Sequence, residues 1–265
     1  MQSYSAMNMP RLVIAILATT LTGPSLLPAE SAVLDLVWVR PQVTMNTGER
    51  SLTFRLKFAA PWDDRVRAAR VIIESARDDT GAHLGQTATP AFRHDAVGCI
   101  AGDSSRTTSK EPLEFALHGS AKTATFLPAV KGTVEAVVPD LDPGATATVE
   151  RITSYLGVAL DSAAFARAGV TVTVFSQPEN ELLVQIIDPE DLVVGWEFEA
   201  HDGGALPYNH NGVSHASGNS GTSSHRYHFA TKPPDDARFT CWMRTKKSLV
   251  RFPLNLTNIL LPPTR

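Results

Sequence analysis

Cysteine is scarce in this sequence, and its scarcity limits covalent cross-linking to a single disulfide. Cys99 and Cys241 are the only two cysteines among the 265 residues. In an exported protein, these two cysteines could form a disulfide bond. Cys241 is also in phase with Phe239 and Met243 along an apolar alternation, which is equally typical of a buried free thiol. The sequence leaves these two alternatives open.

Neither sign of charge dominates the chain, and no apolar run beyond its first residues is long enough to span a bilayer. The formal net charge is only −3, so the basic footprint of a nucleic-acid-binding protein is missing. A membrane-spanning helix needs about 20 apolar residues, and no later segment comes near that length. We therefore expect neither a nucleic-acid partner nor a membrane span in the mature chain.

The N-terminal segment is typical of a secretory signal peptide. Arg11 supplies a positive flank to residues 12–21, an apolar core of about ten residues, which is too short to cross a membrane. Ala29 and Ser31 provide a small-x-small cleavage site. We therefore predict that residues 1–31 are a signal peptide and that the mature protein is secreted or periplasmic.

Short alternating segments separated by turns make up most of the remaining sequence. The clearest lies where Leu52, Phe54, Leu56 and Phe58 alternate with polar residues. A period of two is typical of a strand with one buried face. About a dozen such strands, without a βαβ rhythm, predict an all-β fold built as an antiparallel β-sandwich.

The length of the chain favours two domains. We predict two immunoglobulin- or fibronectin-like modules, residues 32–150 and 151–265, and a single larger sandwich is the alternative. One short helix is predicted at residues 161–168, because Asp161 can cap its first amide groups and Gly169 suits its C-terminal exit.

Glycine and proline mark several predicted strand ends. Residues 123–127 and 133–138 are predicted as separate strands, because Pro128 and Gly132 lie between them. A further short strand is predicted at residues 97–100, within a long polar connection.

Two acidic turns resemble parts of known functional loops. Residues 79–81 (DTG) match the core of an aspartic protease loop, but no second such loop supplies the partner carboxylate. Residues 140–144 (DLDPG) resemble the start of a calcium loop, whose pattern Pro143 and Gly144 interrupt. Both segments are predicted to be turns.

Three short segments resemble exported bacterial β-sandwich proteins that are themselves uncharacterised. They are residues 130–134 (VKGTV), 251–254 (RFPL) and 260–262 (LLP). The resemblance implies an exported β architecture and implies no activity.

Polar side chains gather between two predicted strands late in the chain. One strand runs through Trp196 and Phe198, and the chain returns as a second strand through Tyr227 and Phe229. The connection, residues 201–225, is long for a compact domain, and such loops are either functional or disordered. Its Gly, Ser and Asn content favours a mobile loop that could be shortened without loss to the core.

Five of the eight histidines lie between positions 201 and 228. Imidazole is a common ligand of zinc and copper, and three or four ligands suffice. The spacings His-x-His and His-Glu-x-x-His are both missing. The candidate metal ligands are His201, His210, His215, His225 and His228.

The same segment contains the components of a hydrolytic triad. Ser223 or Ser224 could act with His225 and Asp202, although no Gly-x-Ser-x-Gly motif is present to position a serine nucleophile. The leading hypothesis is an exported, non-enzymatic β-sandwich protein with a binding or structural role in the cell envelope. Its partner would be a protein or a glycan, and no cofactor is expected. The alternative is a metal-binding or hydrolytic protein that uses residues 201–228.

Overall fold

The computed structural model describes residues 34–43, 50–60, 62–86, 92, 113–178, 180–204, 206, 208–215 and 221–261. These residues form four antiparallel sheets and one α-helix, which confirms the predicted all-β antiparallel class. The immunoglobulin- or fibronectin-like character of the modules stays a prediction. The strand predicted at residues 97–100 lies outside the described residues.

The strands follow the chain in order. They are β1 (Leu34–Val43), β2 (Arg50–Phe58), β3 (Ala68–Arg77), β4 (Leu113–Ser120), β5 (Phe126–Val137), β6 (Thr146–Val149), β7 (Thr171–Gln177), β8 (Glu181–Ile187), β9 (Val193–Glu199), β10 (Tyr208–His215), β11 (Thr222–Phe229), β12 (Arg238–Met243) and β13 (Leu249–Leu260). Short 3-10 helices lie at Trp62–Asp64, Pro139–Leu141, Pro143–Ala145 and Ile152–Tyr155.

Two sheets pack face to face in a first sandwich, with strand orders β1-β2-β4 and β13-β5-β3. The alternation on β2 buries Leu52, Phe54 and Leu56 completely, as predicted. Phe54 stacks on Phe115 of the neighbouring strand β4, with the ring centroids 4.6 Å apart. The first core is therefore centred on this aromatic pair.

A second sandwich contains the other two sheets, with orders β6-β12-β9 and β10-β11-β8-β7. Phe198 of β9 is completely buried, and its ring lies 5.5 Å from that of Tyr227 and 5.3 Å from that of Phe229 on the facing sheet. Cys241 is a free thiol buried in this core, and burial raises its pKa. Cys99 lies outside the described residues.

The last strand returns to the first sandwich. β13 pairs antiparallel with β5 from Leu249 opposite Val137 to Leu260 opposite Phe126. The second sandwich is thus inserted, in sequence, between two strands of the first. The predicted division into residues 32–150 and 151–265 does not follow this pairing, and the domain boundary itself stays a prediction.

Residues 123–138 do not form the two separate strands predicted from Pro128 and Gly132. They contain one continuous strand, β5, which pairs with β13 on one side and β3 on the other. A Cβ atom at position 132 would overlap the backbone carbonyl oxygen of Ile72 on β3. Gly132 therefore permits a close approach of two strands rather than a turn.

The helix begins two residues later than predicted. It spans Ala163–Ala168, and the Ser162 hydroxyl, rather than Asp161, accepts a hydrogen bond from the backbone N–H of Ala164. Gly169 ends the helix in the left-handed conformation, with φ of 67°, as its position predicts. Ser162 and Asp161 are both good N-cap residues, so the sequence alone favours neither strongly.

The DTG segment forms a turn after β3, as predicted. Gly81 has φ of 87°, and Arg77 pairs with His83 beyond the turn. Asp78 is buried, and its carboxylate accepts hydrogen bonds from the backbone N–H groups of Thr80 and Ala82 at 3.0 Å. Burial raises the pKa of Asp78, but hydrogen bonds outweigh it, and the net pKa is lowered. This carboxylate therefore organises a turn.

The turn at residues 140–144 is also confirmed. The Asp142 carboxylate accepts a hydrogen bond from the backbone N–H of Gly144 at 2.9 Å and one from the Thr245 hydroxyl at 2.7 Å. The Asp142 carboxylate thereby links this turn to Thr245, which lies in the connection between β12 and β13.

An apolar junction joins the two sandwiches. It consists of Ala68, Phe92, Val137, Val194, Trp242 and Leu249. Arg67, which precedes β3, lies over the ring of Trp242 on β12. The backbone N–H of Val138 also donates to the carbonyl oxygen of Ser248 at 2.8 Å. No helix among the described residues is long and apolar enough to cross a membrane.

Candidate functional site

The polar segment between β9 and β11 is not the continuous loop that its composition predicts. Residues 208–215 form strand β10, which pairs antiparallel with β11 from Tyr208 opposite Phe229 to His215 opposite Ser223. The ring of Tyr208 lies 5.0 Å from that of Tyr227 and 5.9 Å from that of Phe198. Among the described side chains of β10, Tyr208 packs against the second core. One such residue is too short a pattern to predict a strand by alternation.

The two strands that bracket this segment lie in different sheets. β9 pairs with β12, whereas β11 pairs with β8 and β10. Trp196 and Phe198 therefore meet Tyr227 and Phe229 across the sandwich rather than along one ladder. The predicted return of the chain as a second strand is confirmed.

The histidines are spread over this end of the second sandwich. His201 is exposed in the turn after β9, and His210 and His215 lie on β10. His225 and His228 lie on β11, three residues apart, and therefore face opposite sides of the sheet.

His225 lies on the core side and His228 on the outer side of the sheet. The His225 ring contacts that of Trp196 edge to face, with centroids 4.6 Å apart. The His228 Nδ1 lies 3.9 Å from a Glu181 carboxylate oxygen. Within the described part of the chain, no three His, Cys, Asp or Glu side chains are grouped so that they could hold a metal ion. The five-histidine metal site stays a prediction.

Part of the predicted hydrolytic triad comes together. His225 Nε2 lies 3.0 Å from the Ser223 hydroxyl oxygen, on one face of β11. Ser224 is the next residue and lies on the opposite face. Asp202 is exposed, and its carboxylate accepts a hydrogen bond from the backbone N–H of Gly204 at 2.9 Å. The serine–histidine contact is present, whereas the aspartate is engaged in its own turn.

The four-stranded sheet presents a broad surface on the side away from the core. We define the outer sheet face by the outward residues of its three strands with described side chains. They are Thr171, Thr173, Phe175 and Gln177 of β7, Glu181, Leu183, Gln185 and Ile187 of β8, and Thr222, Ser224, Arg226 and His228 of β11. None of these side chains is buried.

Cross-strand pairing arranges these residues in rows. Phe175 lies opposite Leu183, which lies opposite Arg226. The next row is Thr173, Gln185 and Ser224, and the row after it has Ile187, 42% exposed, between Thr171 and Thr222. Apolar side chains and uncharged hydrogen-bonding groups therefore make up these three rows, apart from Arg226.

The charges of the outer sheet face are confined to one end. The Arg226 guanidinium lies 3.7 Å from the Glu181 carboxylate, which His228 also approaches. The outward side of β2 and β4 in the first sandwich differs, because Arg55, Lys57 and Glu114 stand on it and Arg55 pairs with Glu114.

A carboxyl pair that the sequence analysis did not single out lies on β9. Glu197 and Glu199 face away from the second core, on the same side of β9. Burial, and then the charge of Glu199, raises the pKa of Glu197 to about 7, although the guanidinium groups of Arg67 and Arg238 oppose the shift. The i, i+2 spacing in the alternation would have placed both glutamates on one face.

The outer sheet face is broad and sparsely charged, the serine–histidine contact is half-buried, and the carboxyl pair lies beside the junction. Comparison of the chain with protein-family models, with curated proteins and with solved structures gave no match.

Proposed function

We propose that the protein is exported and acts without catalysis, by binding a protein partner in the cell envelope through the outer sheet face. The single observation that carries this proposal is the composition of that face. It holds Phe175, Leu183 and Ile187 among threonine, serine and glutamine side chains, and its charged residues Glu181 and Arg226 lie in the two rows at one end. Depletion of charge with aromatic and arginine residues present is the composition of a protein interface core.

The solvent side of an antiparallel sheet is usually polar, and protein surfaces usually carry interspersed charges of both signs. The outward side of β2 and β4 follows this rule with Arg55, Lys57 and Glu114. On the outer sheet face, the row through Gln185 and the row through Ile187 have no charged residue among their described side chains. The outer sheet face and the outward side of β2 and β4 belong to the same chain and are exposed to the same solvent. The smaller number of charged residues on the outer sheet face therefore favours a partner there.

A site-specific photo-crosslinker tests the surface. Placed at Gln185, in the middle of the face, it should give a discrete covalent adduct in cells that normally make the protein. The matched control is the same crosslinker at Thr53, an outward and half-buried position on β2 of the first sandwich. Leu183→Lys, which adds a second positive charge to the row that contains Arg226, should abolish the Gln185 adduct while the fold is retained. Equal adducts from both positions, or an adduct insensitive to Leu183→Lys, would contradict the proposal.

Export is tested separately. The signal-like segment at residues 1–31 supports it, and the protein recovered from the envelope should begin near Ala32. Intact Met1 on protein from that fraction would contradict this part of the proposal and leave the surface test unaffected.

A further inference from the structure

The sheet β13-β5-β3 carries an excess of positive charge on the side away from the first core. We define the basic sheet face by the cross-strand rows on that side, from the row of Arg251, Glu135 and Arg70 to the row of Thr257, Ala129 and Arg77. Its charged side chains are four cations and two carboxylates, namely Arg70, Arg77, Lys131, Arg251, Glu74 and Glu135. The whole chain has a formal net charge of -3, so this excess is a local property.

One of the two carboxylates is fully used within the protein. The Glu135 side chain is only 5% exposed. Arg70 Nε donates to one of its oxygens at 2.8 Å, and Arg251 Nε donates to the other at 2.9 Å. A single carboxylate balances the charge of only one guanidinium group. The row therefore keeps a net positive charge, and the contacts with Glu135 hold both arginines in fixed positions on either side of β5.

The positive charge of this row continues to the second sandwich through Phe92. The ring of Phe92 is buried, and the guanidinium carbons of Arg70 and Arg244 lie 4.4 Å and 5.3 Å from its centroid. Arg244 Nη2 donates to the backbone carbonyl oxygens of Glu190 and Asp191, at 3.3 Å and 3.1 Å. These two contacts supply no formal negative charge. Arg244 thus adds a second supported guanidinium beside Arg70.

The rest of the basic sheet face combines a further cation with uncharged hydrogen-bonding groups. Lys131 is exposed and lies opposite Asn255, which is also exposed. It is four residues from Glu135 along β5, a distance of about 13 Å in an extended strand. Thr257 is exposed one row further on. The cations are therefore spread over a length greater than that of one small anion, with amide and hydroxyl groups between them.

We propose that the basic sheet face binds an acidic polysaccharide, a chain of sugar rings that carries a carboxylate on successive units. Arginine and lysine pair with carboxylates, and the contacts of Arg70 and Arg251 with Glu135 are an internal example of that pairing. Asn255 and Thr257 can hydrogen-bond to sugar hydroxyl groups. The proposal does not rest on the outer sheet face, which belongs to the other sandwich.

The chain's own connection before β4 does not supply the complementary charge. Residues 93–112 contain three basic and three acidic residues, namely Arg93, Arg106, Lys110, Asp95, Asp103 and Glu111. Their formal charges cancel. A separate polyanion is therefore the partner that the charge of the face fits.

Isothermal titration of the full protein with polygalacturonate, at low ionic strength, tests the proposal. The parent should bind this polymer and should not bind dextran, a neutral polysaccharide, and added salt should weaken the binding because it screens exposed charges. Lys131→Gln and Arg251→Gln should each weaken the affinity about three- to tenfold, since each removes one charge-assisted contact. Lys232→Gln is the matched control, an exposed lysine of the second sandwich, and should change the affinity less than about twofold.

The two variants are chosen so that the fold is retained. Lys131 is exposed, and the Arg251 side chain is 69% exposed while Arg70 still pairs with Glu135 in its absence. Thermal unfolding checks both variants. The inference would be overturned if polygalacturonate failed to bind, if dextran bound equally well, or if the affinity did not fall more in the two variants than in Lys232→Gln. Tighter binding to phosphatidylglycerol vesicles than to polygalacturonate would also overturn it, because the face would then fit a lipid surface.

Discussion

Arg67 lies over the indole ring of Trp242, with the guanidinium carbon 4.4 Å from the ring centroid. The pair joins the start of β3 to β12, two strands of different sandwiches. Arg67→Ala should lower the free energy of unfolding by about 1–2 kcal/mol, because a cation over a partly desolvated indole is worth that much. Urea denaturation at pH 6 measures the loss.

The matched control for Arg67 is another cation without a ring contact. Lys232 is exposed, and its ammonium lies 3.8 Å from the exposed Asp235 carboxylate. Lys232→Ala should change stability by less than about 1 kcal/mol, as is usual for exposed ion pairs. Equal losses from the two variants would show that the Arg67–Trp242 contact contributes nothing beyond surface charge.

The core of the first sandwich should depend on Phe54. Its side chain is completely buried and stacks on Phe115, so Phe54→Ala should cost about 3–5 kcal/mol. Thr53 lies on the other face of the same strand, and Thr53→Ala should cost under about 1 kcal/mol. A guanidinium titration of both variants gives the comparison. Similar losses would mean that the two faces are wrongly assigned.

Gly132 should be intolerant of any side chain. The Cβ of Gly132→Ala would overlap the carbonyl oxygen of Ile72, and we expect a loss of about 1–3 kcal/mol from the forced separation of β3 and β5. Gly85→Ala is the control, because a Cβ there meets no atom within 4 Å. Thermal unfolding of the two variants should therefore differ clearly, and a Gly132→Ala protein as stable as the parent would refute the close approach.

The segment around β10 should matter to stability, contrary to what its composition predicts. Tyr208 contacts Phe198, Tyr227 and Phe229, so Tyr208→Ala should cost about 2–3 kcal/mol, below the loss for a fully buried aromatic residue. His201→Ala, at an exposed turn position, should stay within about 0.5 kcal/mol. Chemical denaturation separates the two cases. An unchanged Tyr208→Ala protein would favour the mobile loop.

Zinc tests the histidine hypothesis directly. A metal bound only by the folded state adds about 2.7 kcal/mol at a hundredfold excess over its Kd. Because His225 and His228 face opposite sides of β11, we expect zinc to leave the melting temperature unchanged. A rise that a chelator reverses, and that His225→Ala abolishes, would support the metal-binding alternative.

Local chemistry was enough to predict most of the fold. The alternation at Leu52, Phe54 and Leu56 defines one buried face, and the turns predicted at residues 79–81 and 140–144 are present. Such signals depend only on neighbouring residues. They fail at Gly132, because a glycine that admits a neighbouring strand looks the same in sequence as a glycine that makes a turn.

The candidate sites were harder to predict, because they depend on which strands become neighbours. Five histidines close in sequence suggest one cluster, yet His225 and His228 are separated by the sheet itself. Burial and the charge of Glu199 raise the pKa of Glu197, and the charge of Arg67, from a distant part of the chain, opposes the rise. No local pattern in the sequence contains this burial or this distant charge.

The pairing of β13 with β5 also fixes an order of events during synthesis. Residues 249–260 form an edge of the first sandwich, but the ribosome adds them after every strand of the second. The second sandwich can complete its own sheets while the first still exposes one side of β5, including the backbone opposite Phe252 and Leu254. Contacts between segments so distant in sequence form slowly. The half of the molecule made first is therefore the half completed last, and the side of β5 that awaits β13 is an unpaired strand edge during synthesis.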